Sequence, residues 1–167
     1  GEGTAESVTS AATDAVSNVN DAPIGTVTIS GTAREDETLT GSNNLADEDG
    51  LGVISYQWNR TSGGTTTNIG GATASTYTLV QADVGSLITV TARYTDAEGT
   101  AESVTSSATA VVSNVNDTPV GTVSIAGVAT EDQQLTASNN LADEDGLGNI
   151  IYQWSRGGEA IDGATSS

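Results

Sequence analysis

The chain has 167 residues and contains no cysteine, methionine, phenylalanine, histidine or lysine; its four basic residues are Arg34, Arg60, Arg93 and Arg156. Without cysteine there are no disulfides, no thiolate metal sites and no thiol redox chemistry, which suits a secreted chain that stays unfolded until export. Without histidine or cysteine no nucleophilic triad can be assembled. The isolated arginines make no basic patch. A formal net charge of −18, from 22 acidic residues, repels nucleic acid and anionic membranes and attracts cations. No apolar run reaches the roughly 18 residues that a membrane span needs. No signal peptide is visible, as expected of a window cut from a longer chain. Hydrophobic residues make up only 35%, and the aromatics are two tryptophans and four tyrosines. The core must be thin, built from Val, Ile, Leu, Ala and one Trp per unit, and marginally stable without a ligand.

What the chain has in quantity is repetition. Residues 3–60 return as residues 99–156, 96 positions later and without a gap. GTAESVTS occurs at 3–10 and 99–106, SNVND at 17–21 and 113–117, SNNLADEDGLG at 42–52 and 138–148, and YQW at 56–58 and 152–154. Self-similarity at a fixed period marks an array of structural units, here of small-domain size. Residues 1–20 read as the C-terminal strand of a preceding repeat plus linker, 21–116 as one complete repeat, and 117–167 as the N-terminal half of the next. The last segment has no counterpart of 76–96 and cannot close a sandwich alone. An active site is needed once and a spacer many times, so the repetition points to mechanics and display and away from an enzyme.

Thr, Ser, Val and Gly alternate with period two, with turn signals about every ten residues, and no segment carries a helical stripe. Strands are expected at 25–30 (Val27 and Ile29 inward), 37–42 (Leu39 inward), 54–60 (Ile54, Tyr56 and Trp58 on one face), 76–80, 87–95 (Ile88, Val90, Ala92 and Tyr94 on one face) and 102–113. Residues 61–67 read as a loose polar turn, 69–72 as a short edge piece, and 81–85 and 97–99 as turns. The four aromatics Tyr56, Trp58, Tyr77 and Tyr94 fall on the apolar alternation, which leaves no aromatic platform for a sugar. The fold class is therefore all-β: tandem immunoglobulin-like β-sandwich repeats of about 96 residues, with a Trp on the third strand and a hairpin joining the last two.

YQWNR…IGGATASTYTLVQADVGSLITVTARYTD (56–96) resembles the bacterial immunoglobulin-like repeats of large surface proteins. The linkers NVNDAP (18–23) and NVNDTP (114–119) are similar to the Asn-Asp-Pro linker of cadherin and cadherin-like repeats. Together they resemble the extender repeats of giant RTX-type adhesins, which Gram-negative bacteria export by type I secretion. The glycine-rich calcium nonapeptides of RTX tails are absent, so the resemblance is to the stalk. It implies calcium at the junctions between repeats, cell adhesion and biofilm as the setting, and an extracellular, cell-surface location.

The acids recur at loop positions. In an immunoglobulin-like sandwich the N-terminus and the loops at 43–53 and 96–100 share one end. For the middle unit that end collects Asp21, Asp47, Glu48, Asp49, Asp96 and Glu98. The other end collects Glu35, Asp36 and Asp83 beside Asn114, Asn116 and Asp117, and the next unit brings Asp143, Glu144 and Asp145 to the same junction. Calcium takes six to eight oxygen ligands from carboxylates, amide or backbone carbonyls and water, and such a junction supplies them. Unneutralised, these carboxylates repel and some must protonate. An EF-hand is excluded: aligning Gly50 with the loop glycine puts Leu45 at the first ligand position and Tyr56 at the twelfth. The bland alternative is that 47–52 is only a polar turn, since Asp and Gly are turn formers.

These readings predict a calcium-stabilised structural extender of a large secreted adhesin. Its partners are neighbouring repeats of the same chain, and any host or surface ligand is engaged through other domains. The rivals are a carbohydrate- or protein-binding module, with specificity in the loops 61–67 and 97–99, and a spacer domain of a large extracellular enzyme. The first of these loops is four residues shorter in the third unit, where Ile161 follows Trp154 by seven and Ile69 follows Trp58 by eleven. Such freedom fits a tolerated insertion better than a tuned contact.

Overall fold

The computed structural model describes residues 2–167. Seven strands occupy the middle of the chain: β1 (Val27–Ser30), β2 (Thr38–Asn43), β3 (Ser55–Ser62), β4 (Thr65–Asn68), β5 (Thr76–Thr78), β6 (Leu87–Thr95) and β7 (Ala101–Thr105). They form two antiparallel sheets of order β1-β2-β5 and β4-β3-β6-β7. Alternation sets the inward faces. Leu39 from one sheet and Trp58, Ile88, Val90 and Ala92 from the other are fully buried in one cluster with Val27, Leu79 and Val112. The sheets approach closely enough that a Cβ on Gly41 would lie 3.3 Å from Val90 and 3.5 Å from Trp58. The outward faces are coated with hydroxyls that pair across strands: Thr28 with Ser42 (2.9 Å), Thr38 with Thr78 (3.0 Å) and Thr91 with Thr105 (2.9 Å). Such cross-strand pairs suit a pleated surface. Among β1–β7 the only carboxylate is Glu102; the other acids are left to the ends.

The aromatics divide in a way that alternation alone does not show. Trp58 and Tyr94 are buried, and the indole N–H of Trp58 donates to Ala74 O at 2.9 Å. Tyr56 and Tyr77 sit half-buried at the rim, where the first accepts from Asn43 and the second donates to Asp83.

Within β1–β7 and the segment that follows it, two stretches differ from expectation. The loose turn at 61–67 is a hairpin: β3 runs on to Ser62 and pairs with β4 around Gly63 and Gly64, whose φ values are 56° and 80°. Positive φ at both central residues is what a two-residue hairpin of matching twist needs. β4 is wholly exposed, so no apolar alternation marks it. The long last strand, expected over 102–113, ends its regular pairing at Thr105. Beyond it Ser106, Thr109 and Val112 donate to Val90, Ile88 and Ser86, each at 2.9 Å. Three residues on one side thus oppose two on the other, twice over, the signature of successive bulges. The hydroxyls of Ser106 and Thr109 accept the Val90 and Ile88 N–H groups at 3.1 Å. The strand then meets the first part of the unit in parallel, with Ser113 N–H donating to Ala33 O (3.0 Å) and Glu35 N–H to Ser113 O (2.9 Å).

Later in the chain, β8 (Val123–Gly127) pairs with β9 (Leu135–Asn139), and β10 (Ser155–Arg156) with β11 (Glu159–Ala160). The β8–β9 register, Val123 opposite Asn139, reproduces that of Val27 opposite Asn43. The β10–β11 hairpin turns at Gly157 and Gly158, again both at positive φ. Ile161 N–H donates to Trp154 O as Ile69 N–H does to Trp58 O. The shorter loop is therefore the same hairpin with two residues removed from each strand. Val123 and Ile125 are 58% and 64% exposed, where Val27 is 4%. Residues 2–22 form no strand. The strand expected there shares the β7 sequence, and β7 is held by pairing with β6, for which residues 2–22 have no equivalent partner.

Candidate metal centre

At one end of the β1–β7 sheets, residues 18–21 are tied to the loop after β2. Asn18 Nδ2 donates to Asp49 Oδ1 (2.8 Å), and the backbone N–H of Asp21 donates to Asp49 Oδ2 (2.6 Å). Asp47 accepts the N–H of Asp49 at 2.9 Å and the hydroxyl of Tyr94. That loop can lie against the end of β6 because position 52 is glycine: a Cβ there would fall 1.9 Å from Thr95 O. Asp96 is only 6% exposed. Its Oδ1 accepts the N–H groups of Glu98 (3.0 Å) and Thr100 (2.7 Å), closing the hairpin before β7. Its Oδ2 is buried without any hydrogen-bond partner, an arrangement costly for a carboxylate oxygen and relieved by a cation. Burial, then the hydrogen bond to Asp47, then the charges of Asp47, Glu102 and Asp96 push the Tyr94 hydroxyl well above its usual range. Glu48 and Glu98 are exposed.

The second end repeats the linker contacts. Asn114 Nδ2 donates to Asp145 Oδ1 (2.7 Å), Asp117 N–H to Asp145 Oδ2 (2.7 Å) and Asp145 N–H to Asp143 Oδ1 (3.0 Å). Asn116 turns its amide onto Asp117 O at 2.9 Å. A further carboxylate arrives here from the segment between β1 and β2. Glu35, 2% exposed, accepts the N–H of Val115 at 3.0 Å. Glu35, Asp117 and Glu144 each bring a carboxylate oxygen within 4.8 Å of the others. Among the described residues this is the one acidic group close enough to hold a metal ion. Desolvation, and the charges of Asp145, Asp36 and Asp143, raise the Asp117 pKa above its usual value. Asp36 is exposed and sits at φ 65°.

Apart from Glu48 and Glu98, which are exposed, and Asn116, whose amide donates to Asp117 O, the expected ligands fall into three sets. Glu35 and Asp117 converge, joined by Glu144 and bordered by Asp36, Asp143 and Asp145. Asp21, Asp47 and Asp49 are linked in a chain of hydrogen bonds and share one end with Asp96, yet no three carboxylates there come as close as the seam group. Asp83 does not belong with the metal candidates: it is wholly buried, and both its oxygens are taken by Arg60, Tyr77 and the N–H of Val80. Sequence reasoning missed Glu102, which faces Tyr94 across the ladder and accepts from Asn20 at 2.9 Å. It also missed Gln81, whose amide lies against Glu35. A lone acid inside a strand was a signal for the first; nothing in the acidic pattern marks the second. The donors at both ends are oxygens throughout, which suits a hard cation and excludes a thiolate- or imidazole-bound metal. Comparisons with protein families, with curated proteins and with solved structures find no match to this chain.

Proposed function

We propose that this chain is a calcium-stabilised structural extender of a large secreted or cell-surface bacterial adhesin, built from tandem immunoglobulin-like repeats that hold a distant ligand-binding region away from the cell. The observation that carries this reading is the seam: Glu35 from the complete unit, Asp117 from the linker and Glu144 from the following unit within 4.8 Å of one another, with Glu35 buried. A buried carboxylate needs a counter-charge, and among the described residues the one salt bridge is that of Arg60 with Asp83. A divalent ion held by Glu35, Asp117 and Glu144 would supply the charge and fasten three segments together. The orphaned Asp96 Oδ2 supports a second ion at the other end. The bound ion supplies charge neutralisation and cross-linking, with no chemical reaction.

Extracellular modules bind calcium with dissociation constants of about 10⁻⁴–10⁻³ M. At about 100 times that constant one site adds about 2.7 kcal/mol, a large share of a small domain's stability. Low free calcium inside the cell then leaves the chain unfolded and fit for type I secretion, and calcium outside folds and stiffens it. Calorimetric melting with calcium and with EDTA tests the reading. A higher melting temperature in calcium is expected, along with a longer maximum dimension in small-angle scattering. Identical melting and scattering under both conditions would overturn it.

A further inference from the structure

Residues 3–20 repeat residues 99–116 with differences only at Ala11, Asp14 and Ala15. In 99–116 that sequence is tied down. Val112 is 1% exposed in the core, Ser113 N–H donates to Ala33 O at 3.0 Å, and Glu35 N–H donates to Ser113 O at 2.9 Å. Just before them, residues 107–110 line one groove with Val27, Ile29 and Ala33. In 3–20 the same sequence is loose. Val16, the counterpart of Val112, is 96% exposed, and Ser17, the counterpart of Ser113, joins no strand or bridge.

Residues 127–133 hold the backbone shape that receives Ser113 at 31–37. Gly127 and Asp132 have φ of 121° and 67°, against 115° and 65° at Gly31 and Asp36. Thr130 N–H donates to Val128 O (2.8 Å) as Arg34 N–H does to Thr32 O (2.9 Å). Yet among the described residues Ala129 O and Glu131 N–H, the counterparts of Ala33 O and Glu35 N–H, have no backbone partner. Beside them Val123 and Ile125 are 58% and 64% exposed and line a groove with Ala137, Tyr152 and Trp154. Unpaired backbone groups flanking an apolar face make a template for an added segment.

We propose that a second copy of this chain occupies this face: its residues 11–17 lie along β8, Val16 enters the apolar groove, and Ser17 pairs in parallel with Ala129 and Glu131. The occupant comes from another copy because Asn18 and Asp21 are fastened to Asp49 at the Val27 end of β1, whereas residues 117–167 attach beyond its Ser30 end, through Ser113 and Glu35. Glu131 then accepts the Val19 N–H of the second copy, as Glu35 accepts that of Val115 at 3.0 Å. The contact joins two different surfaces, so it repeats head to tail from copy to copy. It rests on apolar burial and backbone hydrogen bonds, and salt must screen the −18 charge of each chain.

Sedimentation velocity on the whole chain, at about 0.15 M salt and over a wide range of concentration, tests this. The parent chain is expected to pass from monomer to dimer and longer species as concentration rises. Val16→Asp and Ile125→Asp each alter one exposed side chain on one of the two surfaces, and each variant alone should stay monomeric. Mixed together they should form a dimer and nothing longer, because one keeps the β8 face and the other keeps residues 11–17. Ser17→Pro, which removes only the N–H that meets Ala129 O, should raise the dissociation constant about tenfold. A parent chain that stays monomeric at every concentration overturns the proposal. So does a Val16→Asp or Ser17→Pro chain that associates like the parent, which would mean that two β8–β9 faces meet each other. A mixture of the two aspartate variants that remains monomeric overturns it as well.

Discussion

Arg60 Nη2 lies 2.6 Å from Asp83 Oδ1, and Asp83 is completely buried. Arg60 Nε reaches the same oxygen at 2.7 Å, while Tyr77 OH (2.8 Å) and Val80 N–H (3.0 Å) fill the other. The turn after β5 is thereby pinned to β3. Asp83→Ala leaves a guanidinium, a hydroxyl and a backbone N–H unsatisfied and should cost about 3–5 kcal/mol in urea denaturation. The calcium-induced rise in melting temperature should survive it. A variant of nearly parental stability that no longer responds to calcium would place Asp83 among the ligands after all.

Alkaline pH should unfold the chain in a defined range. Burial, then the hydrogen bond to Asp83, pushes Tyr77 from 10.0 up to about 12. The unfolded tyrosine ionises near pH 10. Between about pH 10 and about pH 12 the folded state therefore keeps a proton that the unfolded state has lost, and stability falls as pH rises through that range. Tyr94, raised further, extends the fall upward. Urea midpoints measured across this range should drop less steeply in Tyr77→Phe than in the parent chain.

Asp117 carries the opposite balance at neutral pH. Its raised pKa means that, without a cation, its ionised form is disfavoured in the folded seam, so the penalty appears as pH rises through the folded value. Asp117→Asn should raise the melting temperature in EDTA slightly and shrink the rise produced by calcium. A variant less stable in EDTA and equally responsive to calcium would contradict the seam assignment.

The two tryptophans share a sequence context and differ in surroundings. Trp58 is fully buried in the core, whereas Trp154 is half-buried and donates to Ser166 O at 2.8 Å. Trp58→Ala should cost about 3–5 kcal/mol, and Trp154→Ala distinctly less. Fluorescence-monitored denaturation of each variant, with the other tryptophan as reporter, distinguishes them.

How far the sequence could be read depends on what each residue answers to. β6 was legible to its last residue because four inward positions, from Ile88 to Tyr94, alternate without a break. Leu39 and Trp58 likewise declare their faces. β4 was not legible, because an exposed edge strand owes nothing to a core; only the Gly63–Gly64 pair hinted at it. The bulges after Thr105 depend on hydroxyls substituting for backbone acceptors across the ladder. The seam was half legible. Recurring acids marked its loops, but which of them meet is set by tertiary path: Asp83 finds Arg60, 23 residues earlier, and leaves the acidic set. Gln81 carries no charge, so the pattern of recurring acids does not mark it.

The pairwise shortening of the β10–β11 hairpin constrains how such chains can change length. Side chains alternate across a strand, so taking two residues from each arm keeps every remaining one on its own side. Removing one would turn Trp154 or Ile161 outward relative to its partner and expose what the other copy hides. Insertions and deletions at this tip should therefore be tolerated in steps of four and selected against in odd numbers, a parity that related copies, aligned on their tryptophans, should display.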